Sequence, residues 1–329
     1  MKKALVIGID AYAVNPLVGC VSDTVAISNT LERNGDGSPN FSVRLLTSNQ
    51  GAVTTAVLSE AIAELFKGDA DTAVLFFAGH GIINLVTNAG YIVTQDGGKG
   101  AWGISLSELL GQANRAYPRI KSTVIILDSC HSGFAGEVAG LGNDQLSLIG
   151  TGVTILTASH REGKAAEGGG HGLFTGLLLD GLNGSAADIQ GNITPASLYS
   201  HVDQTLGPWE QRPIYKANVQ TFISLRQVNP KIRPEILRNL PTYFPDPTTV
   251  FALDPSFEPD RENVPDNLKH VPVDSAHAAV FKELQQCNRH GLVTPVGAEH
   301  MYYAAINSTG CKLTAVGAHY RKLAEMNRI

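Results

Sequence analysis

Long apolar runs in the first 228 residues predict buried strands, and apolar residues at helical spacing lie between them. Unbroken runs of aliphatic and β-branched residues are typical of strands that are covered on both faces of a sheet. Such runs occupy residues 4–9, 72–78, 122–127 and 153–159, with shorter strands predicted over 41–46, 90–94 and 220–225. Helical spacing predicts helices over 23–33, 54–66, 105–113, 173–182 and 195–206. Strands that alternate with helices predict an α/β fold with a mostly parallel sheet.

The pattern changes beyond residue 228. Nine prolines lie between Pro230 and Pro272, and proline disfavours long helices and central strands because it fixes φ and lacks an amide donor. We therefore expect an extended connector over residues 229–274. Helical spacing returns over 276–290, 300–306 and 313–326. This predicts a small, mostly helical or winged-helix-like accessory module over residues 275–329.

Composition and charge narrow the class of protein. Of the 329 residues, 43% are hydrophobic and 17% are charged, which is ordinary for a globular protein with a large core. The net charge of −5 provides no basic field, so a nucleic-acid partner is not expected. The apolar run at the N-terminus is too short for a signal peptide, and no stretch of about 18 apolar residues occurs. We expect a cytoplasmic protein that has no membrane partner.

Two of the predicted buried strands lead into residues that can form a nucleophile and its base. The run 122–127 leads into Cys130, and the run 72–78 leads into His80, which lies between two glycines. If these strands are parallel neighbours, both side chains emerge at the same edge of the sheet. An imidazole can activate a thiol near neutral pH. His80 and Cys130 are therefore the candidate catalytic pair.

The same residues resemble a known family. The segments Phe77-Ala78-Gly79-His80-Gly81 and Asp128-Ser129-Cys130-His131-Ser132-Gly133 are similar to the His-Gly and Asp-x-Cys-x-Ser-Gly blocks of the caspase, metacaspase and paracaspase superfamily. Positions 80 and 130 are 50 residues apart, close to the spacing in caspase-type peptidases. The resemblance covers roughly residues 1 to 225. It implies a caspase-like three-layer sandwich for a peptidase domain over residues 1–228.

The resemblance also implies a cysteine endopeptidase mechanism. Cys130 would attack the peptide carbonyl, and His80 would protonate the leaving amine. The N–H groups of Cys130 and Gly81 are the implied oxyanion donors, and glycine at position 81 lets the backbone approach the substrate closely.

Carboxylates near the nucleophile predict a preference for basic substrates. By strand alternation, Asp128 points to the same sheet face as Cys130, where it would pair with a cationic side chain. The element Gly19-Cys20-Val21-Ser22-Asp23 resembles the metacaspase Gly-Cys-x-x-Asp element. The resemblance implies that Cys20 and Asp23 line the S1 pocket with Asp128, which predicts cleavage after Arg or Lys. The alternative is that Asp23 caps a helix and Asp128 accepts a local hydrogen bond.

No cofactor or metal is expected. The four cysteines are scattered without a C-x-x-C pair, which favours free thiols in a reducing compartment. Many metacaspases bind calcium through an acidic loop, but residues 95–99 offer one carboxylate, so we expect activity without calcium. His160 and His171 match no zinc spacing and are expected in a solvated loop.

The expected partners are a protein or peptide substrate and an activating protease, or a regulatory protein that acts through the accessory module. Basic residues in segments expected to be exposed, including Arg161, Lys164 and Arg226, suggest activation by limited proteolysis. By analogy with bacterial proteins of this type, a defence role is a further expectation. Two other classes stay open. One is a catalytically idle caspase-fold scaffold; the other is a doubly wound nucleotide-binding protein, although the first strand lacks a following G-x-G-x-x-G.

Overall fold

The computed structural model describes residues 1–84, 89–129, 149–158, 171–208 and 212–329. The chain divides into a first unit, Met1–Asn229, and a second unit, Pro230–Ile329. The predicted nucleophile, Cys130, lies outside the described residues.

Strands and helices alternate through the described part of the first unit. In chain order the elements are β1 (Lys2–Gly8), α1 (Cys20–Glu32), β2 (Ser42–Thr47), α2 (Thr55–Leu65), β3 (Ala70–Ala78), β4 (Gly81–Asn84), β5 (Ala89–Gly98), β6 (Ala101–Ser105), α3 (Leu106–Ala116), β7 (Ile120–Asp128), β8 (Val153–Thr157), α4 (Leu173–Asp180), a π-helical turn (Gly181–Ser185), β9 (Asn192–Ile193), α5 (Pro195–Leu206), β10 (Ile214–Asn218) and β11 (Arg226–Gln227).

The central sheet has the strand order β10-β8-β7-β3-β1-β2. All neighbouring pairs are parallel except β10 with β8. Alternate side chains of β3 enter opposite cores: Leu75 and Phe77 pack with residues of α2 and α3, whereas Val74 and Phe76 pack with residues of α1, α4 and α5. The sheet is therefore the middle of a three-layer α/β sandwich, which confirms the fold class predicted from the sequence.

Side-chain caps stabilise the first turns of α2, α3 and α5. Thr54 accepts a hydrogen bond from the N–H of Val57 at the start of α2, and Ser105 accepts one from the N–H of Glu108 at the start of α3. At α5, Thr194 and Ser197 form a reciprocal capping box, with a proline at the first helical position between them. These contacts satisfy amide donors that have no partner inside the helix.

The central parallel strands end together at one edge of the sheet. Gly8 pairs with Ala78, and Ala78 pairs with Asp128. On the far side of β7, Leu127 pairs with Thr157. The carboxyl edge of an open α/β sheet is where ligands bind, because the loops that follow the strands converge there. The segments that follow β1 and β3 therefore meet the end of β7 at this edge.

Two smaller sheets complete the described part of the first unit. Strands β4, β5 and β6 form an antiparallel sheet in that order, and β9 pairs with β11. The predicted short strand over 90–94 lies inside β5. Because β4 begins directly after His80, the β4–β5–β6 sheet starts at the carboxyl edge of the central sheet.

The prediction of a strand over residues 220–225 is wrong, because this segment does not form a strand. Ile223 and Leu225 of this segment are buried. However, the backbone of this segment is bonded in another way: the Ser224 carbonyl accepts from the ammonium group of Lys2 at 2.8 Å. The last strand of the central sheet is β10 instead, which pairs antiparallel with β8.

The second unit is a small mixed unit. Its elements are α6 (Pro234–Tyr243), β12 (Val250–Phe251), two short 3₁₀ helices (Pro255–Phe257 and Asp266–Leu268), α7 (Ser275–Arg289), β13 (Val293–Pro295), α8 (Met301–Ile306), β14 (Cys311–Leu313) and α9 (Ala315–Glu325). Helices α7, α8 and α9 confirm the three helices predicted over 276–326. Phe244, Phe257 and Phe281 are buried in this unit.

Residues 229–274 differ from the extended connector expected from their prolines. Pro234 begins α6, at a helix position where no amide donor is needed. Within the same stretch, β12 pairs antiparallel with β14 and so joins the sheet order β12-β14-β13. Pro234 thus stands at an element start, whereas Pro241 lies inside α6, so regular structure forms here despite the proline content.

Within the described ranges, no helix combines the length and the apolar character that crossing a bilayer requires.

Candidate active site

His80 lies at the carboxyl edge of the central sheet, two residues beyond the end of β3. Its Nε2 atom is 2.6 Å from the backbone carbonyl of Asn15. A carbonyl oxygen can only accept a hydrogen bond, so Nε2 carries the proton in this contact. In the neutral ring, Nδ1 is then the unprotonated nitrogen. The imidazole is thus held in the tautomer that can take a proton at Nδ1.

Asn15 belongs to the loop that connects β1 to α1. Its φ of 54° lies in the left-handed region, which asparagine tolerates better than most residues. Asp10 anchors the loop at both ends. Its carbonyl accepts from the N–H groups of Tyr12 and Leu17, each at 2.9 Å. Its carboxylate accepts from the first two amides of α1, at 2.9 and 3.1 Å, and so caps that helix.

Tyr12, from the same loop, contacts the backbone and the ring of His80. The Tyr12 hydroxyl accepts a hydrogen bond from the N–H of His80 at 3.0 Å. The two rings lie 4.5 Å apart between centroids. Together with Asn15 and Gly81, these residues form what we call the His80 corner.

Gly81 begins β4 opposite Ile92 of β5. The carbonyl of the preceding residue, His80, accepts from the N–H of Val93 at 2.9 Å. In an antiparallel ladder, bonded and non-bonded pairs alternate, so Gly81 and Ile92 form a non-hydrogen-bonded pair. The N–H of Gly81 is consequently directed away from β5 and is not used by this ladder.

A second group of residues, which we call the acidic corner, consists of Cys20, Asp23, Asp128 and His171. The Asp23 carboxylate is buried, with only 4% of the residue exposed. One oxygen lies 2.6 Å from Nδ1 of His171, and the other accepts from the N–H of Gly172 at 3.2 Å. Asp128 accepts a hydrogen bond from the hydroxyl of Thr175 at 2.6 Å.

Both carboxylates of the acidic corner lie beside the N-terminus of α4. A Cβ atom placed on Gly172, directly before the helix, would be 3.3 Å from an oxygen of Asp23 and 3.8 Å from an oxygen of Asp128. The two side chains converge because α1, α4 and alternate residues of β7 share one face of the sheet. The partial positive charge of a helix N-terminus favours carboxylates at such a place.

Burial changes the pKa of two side chains in the acidic corner. Burial raises the pKa of Asp23, although the bonds from His171 and Gly172 oppose the shift. Burial, with Asp10 and Asp128 nearby, also raises the pKa of the Cys20 thiol far above its ordinary value. Cys20 therefore stays a neutral thiol near neutral pH and is a poor nucleophile.

The described site residues predicted from the sequence fall into these two corners. His80 and Gly81 lie in the first, and Cys20, Asp23 and Asp128 lie in the second. The alternative role of Asp23 as the cap of α1 is wrong, because that helix has no side-chain cap at Asp23 and Asp10 binds its first amides.

Four residues were missed by the sequence interpretation: Asp10, Tyr12, Asn15 and His171. His171 was expected in a solvated loop, but its Nδ1 atom lies within hydrogen-bond distance of the Asp23 carboxylate. An acidic residue directly after a buried strand is a weak signal that could have drawn attention to Asp10. Among the described residues, no group of three or more His, Cys, Asp or Glu side chains is arranged to hold a metal ion.

Comparison with known proteins gives a family match and several structural matches over most of the chain. A family model for the caspase domain matches residues 1–228. Among solved structures, a protein of Geobacter sulfurreducens is 17% identical, with a TM-score of 0.49, over 70% of this chain and 97% of that one. Caspase-1 from Spodoptera frugiperda is 12% identical, with a TM-score of 0.48, over 69% of this chain and 90% of that one. No curated protein matches the chain in sequence.

Proposed function

The chain belongs to the caspase-domain family of cysteine peptidases, and from this premise we propose that it is an endopeptidase that cleaves proteins after Arg or Lys with a His80–Cys130 pair. The observation that carries the proposal is the register of the central sheet. Ala78 of β3 pairs with Asp128 of β7. His80 follows the first of these by two residues, and Cys130 follows the second by two residues. Residues that follow neighbouring parallel strands emerge at one edge of a sheet.

The geometry of the His80 corner supports a role as general base and acid. With Nε2 bonded to Asn15, Nδ1 of His80 would accept the proton of the Cys130 thiol, and the thiolate would attack the scissile carbonyl. The N–H of Gly81, which β5 does not use, would donate to the oxyanion together with the N–H of Cys130. His80 would then return its proton to the leaving amine, and water would hydrolyse the acyl-enzyme.

The acidic corner supports the preference for a basic P1 residue. Asp23 and Asp128 offer two carboxylates beside one another, and buried charges are tolerated best when they are paired. The guanidinium of Arg can bind carboxylates through two parallel hydrogen bonds, and the ammonium of Lys can bind as a point charge. A P1 Asp would instead meet like charges, which raises the free energy of its binding.

The test is hydrolysis of matched fluorogenic peptides with Arg, Lys, Asp or Leu at P1. We expect the wild type to cleave the Arg and Lys peptides, Cys130→Ala to cleave none, and Asp128→Ala to lose most activity on the basic peptides. Asp36→Ala, which removes an exposed carboxylate of a turn, is the matched control and should leave the rates unchanged. Equal cleavage of all four peptides would refute the assigned pocket. Silence on all four, with no labelling of Cys130 by a thiol-reactive peptide, would favour an idle scaffold.

Activation by limited proteolysis, or by a partner of residues 275–329, belongs to the same proposal. Arg226, however, is half-buried and its side chain is bound. Its guanidinium donates to the carbonyls of Leu182 and Arg33, each at 2.8 Å. Among the basic residues suggested for self-cleavage, Arg161 and Lys164 lie outside the described residues. Intact mass of the wild type beside Cys130→Ala would show self-cleavage as fragments present only in the wild type.

A further inference from the structure

The hydroxyl of Tyr12 occupies a place that a backbone hydrogen bond would normally fill. The N–H of Val93 donates to the carbonyl of His80 at 2.9 Å. In a regular antiparallel pair, the N–H of His80 would return a bond to the carbonyl of Val93. Here the N–H of His80 donates to the Tyr12 hydroxyl at 3.0 Å, and that hydroxyl donates to the Val93 carbonyl at 3.1 Å. The side chain is therefore inserted into the first rung of the β4–β5 ladder.

The surrounding residues are arranged to admit this hydroxyl. A Cβ atom on Gly79 would lie 2.5 Å from the Tyr12 oxygen, so a larger residue at position 79 would displace it. Tyr12 is 8% exposed, and burial raises the pKa of its hydroxyl above the ordinary value. The group thus stays protonated near neutral pH, as it must in order to accept one hydrogen bond and donate another.

The insertion fixes the start of β4 relative to β5. The inserted oxygen keeps the N–H of His80 away from the Val93 carbonyl, which sets the backbone at His80 and at the next residue, Gly81. The Tyr12 ring lies against the imidazole with an interplanar angle of 49°. Three residues later, the carbonyl of Asn15 holds Nε2 of the same imidazole.

We propose that Tyr12 is a positioning residue that places the His80 imidazole and the Gly81 N–H together, through the hydroxyl inserted between His80 and Val93. The inference rests on the proposed peptidase function, because that function gives both groups their roles. Tyr12 does not itself reach the reacting atoms. Its contribution is to hold two groups of the His80 corner in one geometry, and a displacement of about 1 Å can cost an enzyme about 100-fold in rate.

Tyr12→Phe tests the proposal, because it keeps the buried ring and removes the hydroxyl. We expect kcat on an Arg peptide to fall by about 10- to 100-fold, and KM to stay within about twofold, because the acidic corner holds the P1 residue. Tyr199→Phe, a half-buried tyrosine of α5 that stacks on Tyr215, is the matched control and should change none of these values.

An activity-independent measurement separates this proposal from the peptidase proposal. Amide hydrogen exchange of His80 should accelerate by about fivefold or more in Tyr12→Phe, because its N–H loses the hydroxyl acceptor. If the wild type proves inactive, faster exchange still supports the positioning role, whereas unchanged exchange overturns it. If the wild type is active, an unchanged kcat in Tyr12→Phe overturns the proposal.

Gly79→Ala provides a second variant in case Tyr12→Phe does not fold. It keeps the tyrosine but removes the room for its hydroxyl, so it should reproduce the loss of kcat and the faster exchange of His80. A folded Gly79→Ala protein with wild-type kcat and wild-type exchange would overturn the proposal as well.

Discussion

The two corners of the candidate site are held in different ways. Uncharged groups hold the His80 corner: a tyrosine hydroxyl binds the backbone of His80, and a carbonyl of the β1–α1 loop binds its ring. Two carboxylates characterise the acidic corner, where Asp23 contacts His171 and Asp128 binds the hydroxyl of Thr175. The first corner therefore fixes a position, and the second fixes a negative charge.

We therefore expect substitutions in the two corners to have different kinetic effects. A general base acts on every substrate, so damage to the His80 corner should lower the rate whatever the P1 residue is. A pair of carboxylates discriminates by charge, so damage to the acidic corner should weaken the response to basic P1 residues alone. Substitutions in each corner test this difference.

The largest effect is expected from His80→Ala. Under the proposed mechanism, losing this general base should lower kcat/KM by about 10²- to 10⁴-fold on Arg and Lys peptides alike. Asp128→Asn, by contrast, should reduce the ratio of kcat/KM for the Arg peptide to kcat/KM for the Leu peptide. Steady-state kinetics of both variants on the Arg, Lys and Leu peptides measure these changes. If Asp128→Asn lowered kcat/KM equally on the Arg and Leu peptides, the two corners would not have separate functions.

An intermediate effect on both corners is expected from Asp10→Ala. The Asp10 carboxylate caps α1, which carries Cys20 and Asp23, and its loop carries Tyr12. Loss of such a cap costs about 1 kcal/mol of the free energy of unfolding. We also expect kcat to fall and KM to rise. Urea unfolding and peptide kinetics measure the two changes.

The matched control for Asp10→Ala is Asp274→Ala. Asp274 caps α7 by accepting from the N–H groups of Ala276 and His277. Its loss should cost a similar free energy of unfolding without changing kcat or KM. Equal kinetic damage in both variants would mean that Asp10 acts through stability alone.

The smallest effect concerns the pH dependence of stability. Burial raises the pKa of Asp23, so the folded state binds its proton more tightly than the unfolded chain does. The resulting contribution to stability is complete below the unfolded pKa of about 4 and is lost as pH rises through the folded pKa. Asp23→Asn cannot titrate and should lack this decline. Urea unfolding of both proteins across this pH range checks the difference, and parallel curves would contradict it.

Much of the fold could be predicted from the sequence because its signals are local. Buried strands such as β3 and β7 are long apolar runs, and Ser105 marks the start of α3 at the predicted position. The sequence-based predictions were wrong in two segments, because buried apolar residues and a high proline content are each compatible with more than one backbone structure. Residues 220–225 bury Ile223 and Leu225 without forming a strand, and residues 229–274 form α6 and β12 despite their prolines.

The amino-acid sequence is enough to predict which side chains belong to the candidate site: an imidazole after β3 and the carboxylates of Asp23 and Asp128. The contacts that these side chains make depend on the tertiary structure. Tyr12 meets His80 across 68 positions, and His171 meets Asp23 across 148. No local propensity encodes such pairs, because they depend on the strand order of the sheet and on α1 and α4 packing on the same face.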